Sequence, residues 1–430
     1  MRQILILGAG KSSGVLIDYL AGMAPKQDWE VCVADLSAAQ ALEKTKGRPF
    51  TTAMAFDYQN EKLRRELIAS SDLVISMLPA SVHPVIAQDC LRFQKHLLTP
   101  SYISDAMKKL HRDAKQRGLL FLNELGLDPG IDHMSALQII HRLEDAGAQI
   151  TGYRSHCGGL IAPQSDSNRW HYKFTWNPRN VVLAGQGEGH IRYLQNGKIV
   201  QVPYEKLFTH TQLITIRGYG KFESYPNRDS LKYTRLYGLK HVKTMYRGTL
   251  RRPPFCKGWN VLVQLGLTSQ KEIPTTTLQR QVQEKLARYR YNKYTSVRMM
   301  LQEIKLMERL QNIPSPTVVP CDFLQETLES AWKLSDDDKD MVVMLHEISY
   351  KLSRKKYTLR SSMVYVGDDA SRTAMAATVG LPIGIAAKLA LNNQIKQRGV
   401  MIPRYPEIYE PILAELREHG IVFREKIEEV

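Results

Sequence analysis

Apolar runs of strand length alternate with helical patterns over the first 128 residues of the chain. In the first helical pattern, Val15, Leu16, Tyr19, Leu20 and Met23 fall on one face, as the i, i+4 spacing of a helix requires. Strands that alternate with helices predict parallel βαβ units, and continuous apolar strands fit a sheet that is covered on both faces. The predicted strands are residues 4–7, 31–34, 73–78, 96–98 and 119–122.

The pattern changes after Pro129 and Gly130. Residues 131–147 predict a helix, and residues 148–270 show strand alternation, with Asn196 and Gly197 as a hairpin turn. Helical patterns return over 277–310, 372–397 and 409–418, and strand alternation over 340–366. We therefore predict an α/β protein with three parts: a Rossmann-type doubly wound parallel sheet over residues 1–128, completed by a C-terminal helical segment near 375–430; an antiparallel α+β domain over 129–270 and 338–374; and a small helical insertion over 271–337.

A glycine-rich turn joins the first predicted strand to the first predicted helix. Its glycines are Gly8, Gly10 and Gly14, a spacing one residue longer than the commonest dinucleotide fingerprint. The first glycine allows a tight turn, and the second lets the backbone approach a pyrophosphate at the helix N-terminus. Because the motif lies between a strand and a helix, we predict a dinucleotide site rather than an ordinary turn.

Asp35 ends the second predicted strand, where an acidic residue typically binds the adenosine ribose 2′-hydroxyl and repels the 2′-phosphate of NADP. Asp35 could equally be a solvated carboxylate or a helix cap, because a helix with Ser37 at its start follows it. The residue favours NAD, whereas the neighbouring cation Lys11 keeps NADP open.

Three polar segments follow predicted parallel strands, at the end of the sheet where open α/β proteins bind ligands. They are residues 76–79, which include Leu78, residues 99–102, and residues 123–133. The third segment is dense in glycine, proline and acids, as a fixed active-site turn would be. Asp132 alternatively serves as a cap for the helix that follows.

The chain has 430 residues and a formal net charge of +16, which suggests an anionic partner such as nucleic acid, a membrane surface or a small polyanion. The five cysteines are odd in number and widely spaced, which argues against a disulfide framework and favours a cytoplasmic protein. The N-terminal apolar run is too short for a signal peptide, and residues 373–387 fall short of the roughly 20 residues of a membrane span. The twelve histidines are dispersed, so no metal site is expected.

At these segments the sequence resembles the saccharopine dehydrogenase family of the glutamate-forming type. The resemblance covers about the whole chain except the helical insertion, and so many ordered motifs are more specific than one glycine loop. Besides the glycine loop, the matching segments are residues 101–104, 123–133, 157–160, 172–176, 225–230, 247–251, 340–343 and 375–380.

The resemblance implies NAD(P)-dependent oxidation of saccharopine to glutamate and 2-aminoadipate 6-semialdehyde, or the reverse reductive amination. It implies that the α+β domain is the substrate domain, beside the Rossmann domain and a helical domain. It also assigns residues position by position. For the cofactor these are Gly8, Gly10, Lys11, Ser12, Asp35, Leu127 and Trp176, to which Leu78 is added from its place after a strand; for the substrate they are Ser101, Tyr102, Asp128, Arg228, Arg247, Gly248 and Thr249.

Some positions depart from the family's pattern. Asp35 lies near a position where NADPH-using fungal members tend to carry Arg, His156 replaces a Tyr, and Ile161 replaces a Pro. Residues 167–171 also differ. These changes put the NADP preference and the substrate in question.

The chemistry of the implied substrate suits these residue types. Saccharopine carries three carboxylates and a secondary amine, and Arg228 and Arg247 can bind carboxylates in a bidentate manner. Oxidation gives an imine to which water adds, a step that needs a proton acceptor. Asp128 is the first candidate for that role, and Tyr102 and Cys157 are further catalytic candidates.

Two alternatives remain. The first is an enzyme of the same fold with another secondary amine as substrate, such as carboxynorspermidine dehydrogenase. The second is a nucleic-acid-binding protein on a Rossmann shell, because residues 277–310 are basic and contain Tyr289, Tyr291 and Tyr294; packing of Leu286, Val297, Leu301 and Ile304 against the core is the favoured explanation of that segment. A homodimer is one oligomeric state that the sequence leaves open.

Overall fold

A computed structural model describes residues 1–186, 191–288 and 295–430, which form two compact units. The first unit comprises Met1–Ala146 and Ser371–Val422, and the second comprises Gly147–Ala370 and Phe423–Val430.

The helices and strands follow in chain order. The first unit contains β1 (Arg2–Leu7), α1 (Gly14–Gln27), β2 (Trp29–Asp35), α2 (Ala38–Thr45), β3 (Thr51–Ala55), α3 (Glu61–Ser70), β4 (Leu73–Ser76), α4 (His83–Arg92), β5 (His96–Leu98), α5 (Asp105–Lys109), α6 (His111–Gln116), β6 (Leu120–Leu122) and α7 (Ile131–Asp145). The second unit contains β7 (Gln149–Ile161), α8 (Pro178–Val182), β8 (Ile191–Gln195), β9 (Lys198–Val202), β10 (Gln212–Ile216), β11 (Gly220–Pro226), α9 (Lys232–Leu236), β12 (Thr244–Arg251), α10 (Phe255–Leu265), β13 (Ile273–Pro274), α11 (Thr275–Arg288), α12 (Thr295–Glu303), α13 (Leu306–Gln311), β14 (Thr317–Val318), α14 (Pro320–Ala331), β15 (Asp340–Leu352) and β16 (Lys355–Val366). The first unit then resumes with α15 (Ala374–Leu391), β17 (Gly399–Met401) and α16 (Pro406–Glu418), and β18 (Arg424–Glu429) returns to the second unit.

The first unit is built on a parallel sheet. Over the described residues its strand order is β17-β6-β5-β4-β1-β2-β3, and every neighbouring pair is parallel. The predicted α/β class and the Rossmann-type sheet are confirmed. Strand β3 was not predicted, because its sequence Thr-Thr-Ala-Met-Ala carries little apolar bulk.

The C-terminal segment packs onto this sheet through helix α15. A Cβ atom on Gly380 would lie 2.7 Å from the backbone nitrogen of Leu16, so α15 and α1 approach each other closely. Ala374–Leu391 is the one helix in the described part of the chain that is long and apolar enough to cross a membrane, and 89% of that window is buried inside the protein. Such burial is typical of a core helix. Helix α7 packs against α16, so the first unit extends beyond the predicted boundary at residue 128.

The second unit is built on a mixed sheet. Its main path is β10-β11-β12-β7-β15-β16-β18, with the hairpin of β8 and β9 attached to β12. The predicted hairpin turn is confirmed, since Asn196 and Gly197 both have positive φ. The prediction of a purely antiparallel domain is wrong at one place, because β12 pairs with β7 in parallel.

The predicted helical insertion shares its core with the rest of the second unit. Val297, Leu301 and Ile304 are buried in one cluster with Trp170, Trp259 and Trp332, and Leu286 packs against that cluster. This packing is the one that the sequence favoured for the basic segment. Tyr289, Tyr291 and Tyr294 lie outside the described residues.

Candidate functional site

The turn between β1 and α1 is shaped by two glycines with different roles. Gly8 has φ +106°, and a Cβ atom there would lie 3.1 Å from the carbonyl carbon of Met77, so only glycine fits without strain. A Cβ atom on Gly10 would meet nothing within 4 Å. Gly10 and Lys11 are exposed and Ser12 is half-buried just before α1 begins, so the turn offers an open backbone at a helix N-terminus. These residues fit a dinucleotide pyrophosphate.

Asp35 ends β2, as predicted, and its carboxylate contacts the glycine turn. The amide of Ala9 donates to Asp35 Oδ2 at 2.7 Å, and the amide of Ser37 donates to Asp35 Oδ1 at 2.9 Å. Ser37 itself caps α2 by accepting from the amide of Gln40 at 3.2 Å. The carboxylate therefore has a structural role in the turn, whichever nucleotide binds.

Tyr102 and Asp128 meet at the carboxyl ends of β5 and β6. The Tyr102 hydroxyl donates to Asp128 Oδ1 at 3.0 Å. Their two segments are joined by Glu124, whose Oε1 accepts from the amide of Ile103 at 3.1 Å and whose own amide donates to the carbonyl of Ser101. The polar pair is half-buried, so it lies between the core and the surface of the first unit.

The turn that carries Asp128 is held by buried polar contacts. His133 Nε2 lies 2.7 Å from Glu124 Oε2, and Asp132 Oδ1 accepts from the amide of Gly130 at 2.7 Å. Gly130 is the N-cap of α7 and Asp132 lies in the first turn of the helix, so Asp132 is not the capping residue. Gly130 has φ +148°, and a Cβ atom there would overlap the backbone of Gly126. These contacts fix the backbone on which Leu127 is buried and Asp128 is displayed.

In the second unit, strand pairing aligns the predicted substrate residues on three adjacent strands. Thr249 of β12 faces Tyr225 of β11 on one side and Cys157 of β7 on the other. Gly248 is required by packing, since a Cβ atom there would collide with Ser224 Oγ and with the ring of Tyr246. Five of the predicted site residues thus lie on or just after these strands: Arg228, Arg247, Gly248, Thr249 and Cys157. Trp176 packs against the aromatic core of the same unit.

Two arginines of β12 are almost completely buried. The guanidinium of Arg247 lies 4.1 Å from the ring centre of Tyr233, and its amide donates to Ser230 Oγ at 3.0 Å. Arg251 is 3% exposed, and its guanidinium lies 5.0 Å from the ring centre of Tyr172 and 5.3 Å from that of Phe255. Aromatic faces attract buried cations and so keep both guanidinium groups in place.

Cys157 lies near a cation, Arg251, and beside a histidine, His156. Burial lowers the pKa of the adjacent His156, although Glu347, 3.7 Å from its Nε2, acts in the opposite direction. The thiol of Cys157 interacts electrostatically with Arg251. Because a reactive thiol needs a cation nearby, Arg251 rather than His156 is the residue that could support a role for Cys157.

Sequence reasoning missed one group beside the predicted residues. Ser101 Oγ lies 2.8 Å from Nε2 of the buried His83, which begins α4. Arg251 ends a matching segment, and the sequence predicts it as one of the cations around the ligand site, with Lys11, Arg228 and Arg247. The available signal for His83 was its place a few residues after the Ser76–Pro79 segment. Among residues 1–186, 191–288 and 295–430, no group of three His, Cys, Asp or Glu could hold a metal ion.

The fold and the glycine turn define a dinucleotide-binding protein of the Rossmann class. Residues 4–122 match the saccharopine dehydrogenase NADP binding domain, and residues 126–421 match the saccharopine dehydrogenase C-terminal domain. The chain therefore belongs to the saccharopine dehydrogenase family, and the resemblance seen in the sequence is confirmed.

The relatives differ in length. Saccharopine dehydrogenase [NADP(+), L-glutamate-forming] of Saccharomyces cerevisiae is 33% identical over 449 residues, with 99% of each chain covered. Mitochondrial alpha-aminoadipic semialdehyde synthase of Rattus norvegicus is 33% identical over 98% of this chain, but the chain spans only 47% of that protein. A solved structure of the yeast saccharopine dehydrogenase (L-Glu forming), in its apo form, has a TM-score of 0.86 at 30% identity and covers 100% of both chains.

Alanine at Gly8 and at Gly10 should separate the structural role from the binding role of the turn. We expect Gly8→Ala to lower the free energy of unfolding by about 1–3 kcal/mol, because alanine is strained at this φ. Gly10→Ala should leave the unfolding free energy unchanged, while a methyl group on the open side weakens nucleotide binding by about tenfold or more, or at least 1.4 kcal/mol. Urea unfolding and nucleotide titration measure the two effects. Unchanged nucleotide affinity in Gly10→Ala would remove the turn from the cofactor site.

Proposed function

We propose that this chain is an NAD(P)-dependent oxidoreductase of lysine metabolism that acts on the CH–NH bond of saccharopine. The products would be L-glutamate and 2-aminoadipate 6-semialdehyde, or the reaction would run in reverse as a reductive amination. The observation that carries the proposal is the hydrogen bond between Tyr102 and Asp128 at the carboxyl ends of the parallel sheet, in a chain that matches both family domains.

The proposed reaction divides its work between the nucleotide and the protein. The nicotinamide, when bound, accepts a hydride from the carbon that bears the amine. Loss of the amine proton then leaves an imine, water adds to it, and the carbinolamine collapses to the aldehyde and glutamate. Asp128 takes a proton from the amine or from the attacking water, and Tyr102 orients its carboxylate. A carboxylate has about four acceptor positions, so Tyr102 occupies only part of its capacity.

The substrate's carboxylates explain the choice of polar residues. Arg228 and Arg247 would bind carboxylates, with Ser101, Thr249 and the amide of Gly248 as further donors. Arg247 supports this assignment best, because its buried guanidinium is oriented by Tyr233 and so loses little entropy on binding. Cys157 is the weaker catalytic candidate, with Arg251 as its cationic neighbour.

We also propose that NAD is preferred over NADP. The matched family domain and the yeast relative both carry NADP in their names, so use of NAD(P) is what the family supports. The preference for NAD rests on Asp35, whose carboxylate lies at the end of β2 and beside the glycine turn. A negative charge there would repel a 2′-phosphate.

The location of the protein in the cell and its oligomeric state remain predictions. A cytoplasmic location stays a prediction, and the names of several relatives carry the word mitochondrial. The homodimer also stays a prediction, which light scattering of the purified chain would test.

The decisive experiment is a panel of secondary amines assayed with both cofactors. We expect turnover of saccharopine, with L-glutamate and the semialdehyde as products, measured by nucleotide absorbance and mass spectrometry. Carboxynorspermidine serves as the comparison substrate. Turnover of carboxynorspermidine alone would move the chain to another amine–carbonyl pair, and turnover of neither would overturn the proposed function.

Arg247→Lys should weaken saccharopine binding without weakening nucleotide binding. A lysine cannot replace a bidentate guanidinium, and loss of a hydrogen bond to a charged group costs about 1.5–3 kcal/mol, so KM for saccharopine should rise about tenfold or more. Arg252→Lys is the matched control, because Arg252 also lies over an aromatic ring, that of Phe222 at 4.7 Å. An equal KM for saccharopine in wild type and Arg247→Lys would remove Arg247 from the substrate site.

Asp35→Asn should relax the discrimination against NADP. The amide oxygen can still accept a hydrogen bond, but the negative charge is gone, so the ratio of kcat/KM for NAD to that for NADP should fall about tenfold, or 1.4 kcal/mol. Asp57→Asn is the control, since Asp57 also accepts from a backbone amide two residues on, that of Gln59 at 2.9 Å. A ratio that changes equally in both variants would assign the effect to general charge.

A further inference from the structure

A buried histidine joins the strand ends of the first unit. His83 is 1% exposed and begins α4. Its Nδ1 lies 2.9 Å from Ser76 Oγ, and its Nε2 lies 2.8 Å from Ser101 Oγ and 2.9 Å from Thr99 Oγ1. We refer to Ser76, His83, Thr99 and Ser101 as the His83 cluster.

The cluster lies at the carboxyl ends of the strands beside the point where the strand order reverses, between β1 and β4. Ser76 is the last residue of β4 and pairs with Leu7, the residue before the glycine turn. Thr99 follows β5, and its amide donates to the carbonyl of Leu122 at the end of β6. Ligands of open α/β sheets bind at such a switch point, so the imidazole connects segments of the expected ligand site.

The ring is neutral, which determines how its nitrogens bond. Burial lowers the pKa of His83 to about 4. One ring nitrogen then carries a proton and the other accepts, although which one is a matter of the tautomer. The side chains of Ser76, Thr99 and Ser101 meet the ring through hydroxyl groups, each of which has one proton to donate.

Nε2 makes one good hydrogen bond, yet two hydroxyl groups lie within 2.9 Å of it. Thr99 Oγ1 already accepts from the amide of Ser101 at 3.3 Å, so its proton suits an unprotonated Nε2. If Nε2 is protonated instead, it donates to the oxygen of Ser101. Only the second arrangement lets the ring hold Ser101, and in it the Ser101 hydroxyl keeps its own proton for another acceptor.

We propose that His83 is a positioning residue for the substrate, which holds the Ser101 hydroxyl so that its proton points to a carboxylate of the bound amino acid. The inference rests on the proposed function, because it needs a carboxylate substrate at Ser101. His83 does not touch the substrate itself, and it adds no charge to the site.

A purely structural role would have different consequences. If His83 only held the strand ends together, its substitution would lower stability and weaken the binding of nucleotide and substrate alike. A positioning role concerns the Nε2 side of the ring only, because Ser101 lies there and Ser76 lies on the Nδ1 side.

Two amide substitutions separate the two sides of the ring. Asparagine can place its amide near the Nδ1 position and so keeps the Ser76 contact but not the Ser101 contact. Glutamine reaches the Nε2 position and can keep the Ser101 contact. We expect His83→Asn to raise KM for saccharopine about tenfold, and His83→Gln to stay within about threefold of wild type, with KM for the nucleotide unchanged in both.

A double-mutant cycle with Ser101→Ala tests the coupling. Ser101→Ala should raise KM for saccharopine about tenfold, and adding His83→Asn should cause no further rise, because both changes remove the same hydrogen bond. His141→Phe is a control, since His141 also bonds a hydroxyl, that of Tyr409 at 2.7 Å. Its KM for saccharopine should equal that of wild type.

Several outcomes would overturn the inference. Equal rises in KM for saccharopine in the asparagine and glutamine variants would indicate a structural tie, as would additive effects in the cycle. If His83→Asn does not fold, a tenfold rise in KM in His83→Gln would overturn the inference alone. A wild-type chain that binds nucleotide but does not turn over saccharopine would overturn the proposed function, so the two failures are distinguishable.

Discussion

The parallel pairing of β1 with both β2 and β4 is the constraint on which the first unit depends. It aligns Leu7 with Ala34 on one side and with Ser76 on the other, so three strands end at one edge. The chain must then turn sharply after Leu7, and the carbonyl of Met77 leaves no room for a side chain at Gly8. The glycine turn, the carboxylate of Asp35 and the His83 cluster all follow from this one alignment, because each lies where one of these strands ends.

The second unit buries the cations Arg247 and Arg251. β12 lies between β11 and β7, and two of its arginines point into aromatic surroundings rather than towards solvent. A buried guanidinium is costly unless its charge is compensated. For Arg251 the rings of Tyr172 and Phe255 face the guanidinium, and its charge acts on Cys157. The net charge of +16 therefore includes charges placed inside the protein, where they can act on an anionic ligand more strongly than surface charges.

The sequence predicted what depends on local patterns and missed what depends on pairing between distant segments. Continuous apolar runs identified the central strands of the first sheet, and Asn196 with Gly197 identified a hairpin. Strand β3 was not predicted because it is an edge strand of small residues. Helix α10 was not predicted because its run of apolar residues lies among predicted strands. The role of His83 was not predicted because its three hydroxyl partners come from segments that are adjacent only in space. The hydrogen bonds of Asp35 with Ala9 and Ser37 could not be predicted from the sequence either.

The contacts of Asp35 link cofactor choice to the shape of the turn. Its carboxylate accepts from Ala9 next to Gly8 and from Ser37 at the start of α2, so it holds β1, β2 and α2 together where the adenosine ribose would bind. An arginine at this position would attract a 2′-phosphate but would leave two backbone amides without their acceptor. An arginine at position 35 would therefore require a second substitution that restores an acceptor for these amides. Asparagine differs from arginine in this respect, because its amide oxygen can still accept one of the two bonds, so it removes the charge at a smaller structural cost.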